Sequence, residues 1–186
     1  MQKHIITIGG LPGSGKSSAA RRLAEMLQYH HFSSGDFFRE IAIQKGVTID
    51  ELMAHPQKSV DDEVDALVRQ KGEEEKLVID SRTAFHWIPQ SFKVFLTIDP
   101  QVGAKRVFAQ LQKEGRPAQE GTSVEDVYAK MIERIHNEKK RYISLYNFDY
   151  TDQSQYDLVV DTAHTPLEEE VQIILKKYQE WINTPV

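Results

Sequence analysis

A chain of 186 residues, 40% of them hydrophobic, has the length of one domain with a buried core. Its net charge of -5 argues against nucleic acid or an anionic membrane as partner, since either needs a basic face. It contains no cysteine, which excludes a disulfide framework, thiolate chemistry and a cysteine-ligated metal.

The first apolar run, HIITIG (4–9), is short, β-branched and closed by glycine, and predicts a buried strand. It is too short for a secretory leader, and no apolar run reaches bilayer length, so the expected location is the cytoplasm. SSAARRLAEML (17–27) follows with helical spacing. A second strand gives way to a helix within FSSGDFFRE (32–40), and helices are expected over Asp36–Lys45 and Val60–Gln70. GEEEK (72–76) reads as a solvated loop before the strand KLVID (76–80). Next come the strand FKVFLTID (92–99) and helices over Val102–Lys113 and Val124–Tyr146. The last strand is YDLVVDT (156–162), and an amphipathic helix runs over Pro166–Ile182. Strands alternating with helices predict an α/β fold whose parallel sheet is covered on both faces. Ligands of such sheets bind at the carboxyl ends of the strands. With no repeat and no linker, residues 1–186 read as a single domain. His30, His31, His55, His86, His136 and His164 show no metal-ligand spacing.

Gly10-Leu11-Pro12-Gly13-Ser14-Gly15-Lys16-Ser17 fits G-x-x-x-x-G-K-[ST] without a mismatch, between a strand and a helix. Its glycines let successive backbone N–H groups face an anion, and the following helix adds its positive end. The loop through Ser18 is therefore the expected site for the phosphates of ATP. Lys16 is expected at the terminal phosphates and the Ser17 hydroxyl on Mg²⁺. A glycine-rich turn that binds nothing is the alternative, and the intact strand–loop–helix context disfavours it. The second Mg²⁺ partner should be an acid at the end of a neighbouring strand. Asp80, ending KLVID, is favoured over Asp99, which has Pro100 behind it and reads as a helix cap.

The acceptor side is expected around FSSGDFFRE, where Ser33 and Ser34 offer hydroxyls and Arg39 stands one turn past Asp36. An arginine there can meet a second phosphate with two parallel hydrogen bonds. The bland alternative is a helix cap by Ser34 or Asp36, with Arg39 on a solvated face. Arg82 directly follows a buried strand in IDSR. In RIHNEKKRY (134–142), Arg134 and Arg141 are seven apart on one helix and share a face. Arg106 and the stretch QKEGRPAQEG, with Arg116 in it, lie upstream and form a candidate mobile lid. A lid that delivers arginine offsets charge on a transferring phosphoryl group and keeps out water. Taken singly, each arginine also fits a solvated helix face.

GLPGSGKS, SSGDFFRE, VIDSR and ERIHNEKKRYISLYNFDYTDQSQYDLVVDT occur in the order that the nucleoside monophosphate kinases show, and span nearly the whole chain. The sequence most resembles the short, archaeal-type cytidylate kinases, and VDDEVD (60–65) is similar to that family's acidic helix. The resemblance implies a P-loop three-layer α/β/α fold with a five-stranded parallel sheet. It also implies a helical monophosphate-binding insertion around 36–72 and a lid around 110–140. The implied reaction is phosphoryl transfer from ATP, with Mg²⁺, to CMP or dCMP; a monomer is expected for a kinase of this size whose lid must swing, with no nucleic-acid or membrane partner, as the net charge indicates. Ser33, Ser34 and Arg39 would meet the monophosphate, Arg82 its phosphate, and Arg134 and Arg141 the transferring group. Asp61 and Asp65 would read the base, because a carboxylate accepts from the exocyclic N4 amine of cytosine. A solvated helix face is the alternative for both acids.

Three departures stand out. Ser81 replaces the family's glycine. The family's R-x-x-G-W becomes Arg82-Thr-Ala-Phe85-His86-Trp87, with bulk where glycine is expected. Asn137 stands for a serine. The first two lie near the expected acceptor pocket and bear on base and sugar more than on reaction type; the third, in the lid helix, is milder. A sibling kinase acting on UMP, AMP or another small acceptor therefore stays open. A nucleotide-controlled switch and a degenerate binding module are the readings from other classes. The surplus of acceptor-side arginines argues against the first, and intact Lys16, Ser17 and Asp80 against the second.

Overall fold

The computed structural model describes residues 3–47, 52, 58–114 and 121–184. Strand β1 (Ile5–Gly10) is buried along its whole length and leads through the glycine-rich loop into α1 (Lys16–Leu27). Strand β2 (His30–Ser33) passes directly into α2 (Ser34–Lys45), and α3 (Lys58–Lys71) precedes β3 (Leu77–Asp80). A one-turn helix α4 (Ala84–Trp87) leads to β4 (Phe92–Thr97) and α5 (Pro100–Glu114). The long α6 (Val124–Tyr146), a 3₁₀ turn (Gln153–Gln155), β5 (Leu158–Asp161) and α7 (Leu167–Ile182) complete the order.

The five strands form one parallel sheet in the order β2-β3-β1-β4-β5. Alternation along β1 sends Ile6 and Ile8 to one face, where they pack with Ala20 and Leu23 of α1 and Val171 and Ile174 of α7. Ile5 goes to the other face, beside Leu77, Ile79, Phe38 of α2 and Val64 and Val68 of α3. Helices thus cover both faces, as the near-continuous apolar strands require. A third cluster, of aromatic rings, gathers Phe85, Phe95, Tyr142, Phe148, Tyr150 and Tyr156. No helix among the described residues is long and apolar enough to cross a membrane.

The register positions the chemistry. Asp80 lies opposite both Ile8 of β1 and Ser33 of β2, so the end of β3 meets the start of the glycine-rich loop at the carboxyl edge. Several boundaries differ from expectation for local reasons. The α2 helix starts at Ser34, and its cap is Ser33, whose Oγ accepts from Asp36 N at 3.3 Å, in place of Ser34 or Asp36. Asp99 starts α5 two residues earlier than expected, its Oδ1 accepting from Gln101 N and Val102 N at 2.9 and 3.1 Å. The last strand is shorter than YDLVVDT because Tyr156 turns into the aromatic cluster and donates to Tyr150 O at 2.8 Å. Helix α4 was not expected. It forms around the bulk in 82–87: Phe85 is buried 4.7 Å from the Tyr156 ring, and the Arg69 guanidinium lies 3.8 Å over Trp87. Within the expected insertion (36–72) the described residues form most of α2 and all of α3, with turns at 46–47 and 72, and within the expected lid (110–140) they form the end of α5 and most of α6, with a non-helical stretch at 121–123. Arg116 lies outside the described residues, as do 48–51 and 53–57 of the insertion.

Candidate active site

The glycine-rich loop can take its path only without side chains at two points. Gly10 has φ 142°, and a Cβ there would sit 2.2 Å from Leu96 O. Gly13 has φ 76°, and its Cβ would sit 2.6 Å from Gly103 O of α5. The loop is therefore pressed against β4 and α5, with the first turn of α1 opening from it at Lys16. The Thr162 hydroxyl donates to Ser14 O at 3.1 Å and ties the loop to the end of β5. Arg106 belongs to this side of the molecule: it donates to Thr162 O and Ala163 O at 2.6 and 3.3 Å. It braces a loop and does not join the other arginines.

Lys16 Nζ donates to Leu11 O at 2.8 Å. Burial lowers its pKa to about 7, with Arg82 and Arg134 pushing the same way and Asp80 and Glu138 resisting. An anion entering the loop would restore that ammonium charge. The Ser17 hydroxyl donates to Asp80, and Ser33 Oγ donates to the same carboxylate at 3.4 Å. Ser34 Oγ donates to Asp80 O at 3.3 Å. Of the two candidate acids, Asp80 thus meets Ser17 while Asp99 caps α5. A serine hydroxyl and a carboxylate in contact are the hard oxygen donors that suit Mg²⁺.

On α3, Asp61 and Asp65 are 5% and 3% exposed, which rules out a solvated face. They lie in the buried stripe of α3 with Val60, Val64 and Val68. Asp61 approaches Arg141 at 3.8 Å, yet burial still raises its pKa. Asp65 Oδ1 accepts from Thr83 Oγ1 at 3.1 Å. Oδ2 of each acid is buried without a hydrogen-bond donor among the described residues. The Tyr146 hydroxyl meets no partner in strict hydrogen-bond geometry either, but it lies close enough to Asp65 to interact with that carboxylate, and burial and this contact both hold it protonated. Arg39 stays half exposed and pairs with Asp36.

Arg134 and Arg141 share a helix but turn to different partners. Arg141 meets Asp61 and donates to the Tyr142 hydroxyl at 3.2 Å. Arg134 Nε donates to Glu138 Oε1 at 2.9 Å, and Arg82 Nε lies 2.8 Å from Glu138 Oε2. Tyr150 OH donates to Oε2 at 3.2 Å. Burial of Glu138 favours its neutral form, but Arg82 and Arg134 overcome this and hold its pKa down to about 2. Glu138, Thr83 and Tyr146 are the residues that sequence reasoning missed. The signal for Glu138 was available: it falls on the stripe of Val127, Met131 and Tyr142, where a solvated charge does not belong.

Comparison with known proteins adds the remaining evidence. The family model described as an AAA domain matches residues 9–125. The cytidylate kinase of Thermococcus kodakarensis is 34% identical over 165 residues, 86% of this chain and 80% of that protein. That of Methanopyrus kandleri is 34% identical over 183 residues, 91% of this chain and 90% of that protein. Among solved structures, shikimate kinase from Bacteroides thetaiotaomicron superposes with a TM-score of 0.65 at 17% identity, covering 97% of this chain and 98% of that one. The last likeness shows the P-loop kinase fold alone. With a glycine-rich phosphate loop leading into Lys16, an acid in contact with Ser17, and these relatives over most of its length, the chain belongs to the P-loop nucleoside monophosphate kinases, in the family of the archaeal cytidylate kinases.

Proposed function

We propose that the protein transfers the γ-phosphoryl group of ATP to CMP or dCMP by direct in-line displacement. Gly10 to Ser18 hold the donor phosphates, with Lys16 Nζ leaving Leu11 O to bind them. Ser17 and Asp80 fit Mg²⁺, which when bound offsets phosphate charge. Ser33, Ser34, Arg39 and Arg82 hold the acceptor phosphate, and Arg134 and Arg141 compensate charge on the transferring group. The acceptor oxygen is already anionic near neutral pH, so no strong general base is needed. The insertion around 36–72 encloses the acceptor, and the lid around 110–140 keeps water from taking its place.

The observation that carries the choice of base is the pair of buried carboxylates, each with one oxygen lacking a donor. Cytosine presents its N4 amine to such an oxygen; uracil presents the O4 acceptor and would leave both groups unpaired. The test is Asp65→Asn, assayed with CMP and UMP in parallel. Loss of the charge should lower kcat/KM for CMP by about tenfold or more while sparing UMP, because an amide can donate to O4. An unchanged CMP-to-UMP ratio would mean that Asp65 does not read the base.

A further inference from the structure

Glu138 holds a place that ordinary ion pairing does not explain. It is 3% exposed, and a lone carboxylate so deeply buried is costly unless its surroundings compensate. Here both its oxygens are engaged from three directions: Arg134 on its own helix, Arg82 behind β3, and the Tyr150 hydroxyl beyond the end of α6. Both arginines approach it with Nε, on the side away from the terminal fork: Arg134 in a hydrogen bond, Arg82 in an ion pair whose Nε–H is not aligned for one. Neither fork has a partner among the described residues, and neither is sealed away from solvent. Lys16 and Arg141 also feel the Glu138 charge.

We infer that Glu138 is a positioning residue: its carboxylate grips Arg82 and Arg134 by their Nε edges and presents both guanidinium forks to the phosphates in transit. This rests on the reading of Arg82 and Arg134 as phosphate ligands. Lys16, Arg82 and Arg134 repel one another in a site where water is scarce. A carboxylate between the two arginines offsets that repulsion and removes their rotational freedom before substrate arrives. The position suits the task because the carboxylate never has to leave: the reactive forks are on the other side of each guanidinium group. It also accounts for Tyr150, whose hydroxyl fixes the carboxylate from the aromatic cluster.

The test compares Glu138→Gln, Arg134→Gln and the double variant by steady-state ADP formation, with thermal melts on each. Positioning predicts that Glu138→Gln lowers kcat by about tenfold or more while KM for ATP stays within about threefold. The double variant should lose clearly less than the product of the two single losses, because part of the effect of Glu138 runs through Arg134 and only the part that runs through Arg82 remains to be lost. A purely structural role predicts a lowered melting temperature with wild-type kcat, or losses that multiply in the double variant; either overturns the inference. Arg134→Gln with wild-type kcat would instead remove the phosphate role of that arginine, and the inference with it. If Glu138→Gln fails to fold, Glu138→Asp keeps the charge and draws it back by one methylene. A folded Asp variant with kcat reduced about threefold or more at an unchanged melting temperature supports positioning, and wild-type kcat in it refutes it.

Discussion

Thr83→Val removes one hydroxyl and leaves the volume nearly intact, so it isolates the contact that holds Asp65 in place. Thr83 and Asp65 are 5% and 3% exposed, and their hydrogen bond is 3.1 Å long. The Ser81 hydroxyl lies 3.4 Å from the same Thr83 oxygen and loses a neighbour as well. A hydrogen bond to a buried charged acceptor contributes about 1.5–3 kcal/mol, so a loss of about 2 kcal/mol is expected. At about 2.1 cal/mol/K per residue, a chain of 186 residues unfolds with an entropy near 0.4 kcal/mol/K, which converts this loss into a fall of about 5 °C in melting temperature. Calorimetry gives that shift, and steady-state kinetics gives its functional counterpart. With Asp65 released, KM for the nucleoside monophosphate should rise several-fold while KM for ATP stays constant. A variant that melts with the wild type and binds its acceptor as well would refute the claim that Thr83 orients the base-reading acid.

Lys16→Ala should fold, since the ammonium is bound to a loop carbonyl and not to a core partner. It should lose about 3 kcal/mol of transition-state stabilisation, roughly a hundredfold in kcat. A folded, fully active protein would contradict the phosphate-loop assignment. In acid, the depressed pKa of Glu138 makes a signed prediction. A carboxyl at about 2 in the fold against an ordinary value of 4.5 stabilises the protein above pH 4.5. That contribution drains away as pH falls from about 4.5 toward 2. Melting temperatures between pH 6 and 2 should therefore fall more steeply for the wild type than for Glu138→Gln, and parallel curves would mean that Glu138 carries no such linkage.

Much of the fold was legible because its signals are local. The β-branched runs at 5–10, 77–80 and 92–97 leave little choice but buried parallel strands, and the phosphate loop needs glycine where a Cβ would come within 3 Å of neighbouring backbone. The proline behind Asp99 marks that acid as a helix cap, and it caps α5, while Asp80 is the acid that meets Ser17. What was not legible depends on which element faces which. Asp61 and Asp65 fit either a solvated face or a pocket until β1 and β3 bury the valines beside them. Arg134 and Glu138, four residues apart, look like an ordinary surface pair, and only Arg82, from fifty-odd residues upstream, turns that pair into a buried cluster. The sequence shows bulk at 85 where the family has glycine but not where it goes; the Phe85 ring packs inward among Tyr156 and Phe148.

The most direct measurement is ADP release from ATP and Mg²⁺ with CMP, dCMP, UMP, AMP and GMP offered separately, against a control without acceptor. Strong stimulation by CMP or dCMP, little by UMP, and slow release in the control are expected from a kinase whose buried carboxylates seek an amine. Preference for AMP would keep the mechanism and move the substrate to the purine that also carries an exocyclic amine. Equal rates with and without every acceptor would contradict the account at its centre, leaving a nucleotide hydrolase in place of a nucleoside monophosphate kinase.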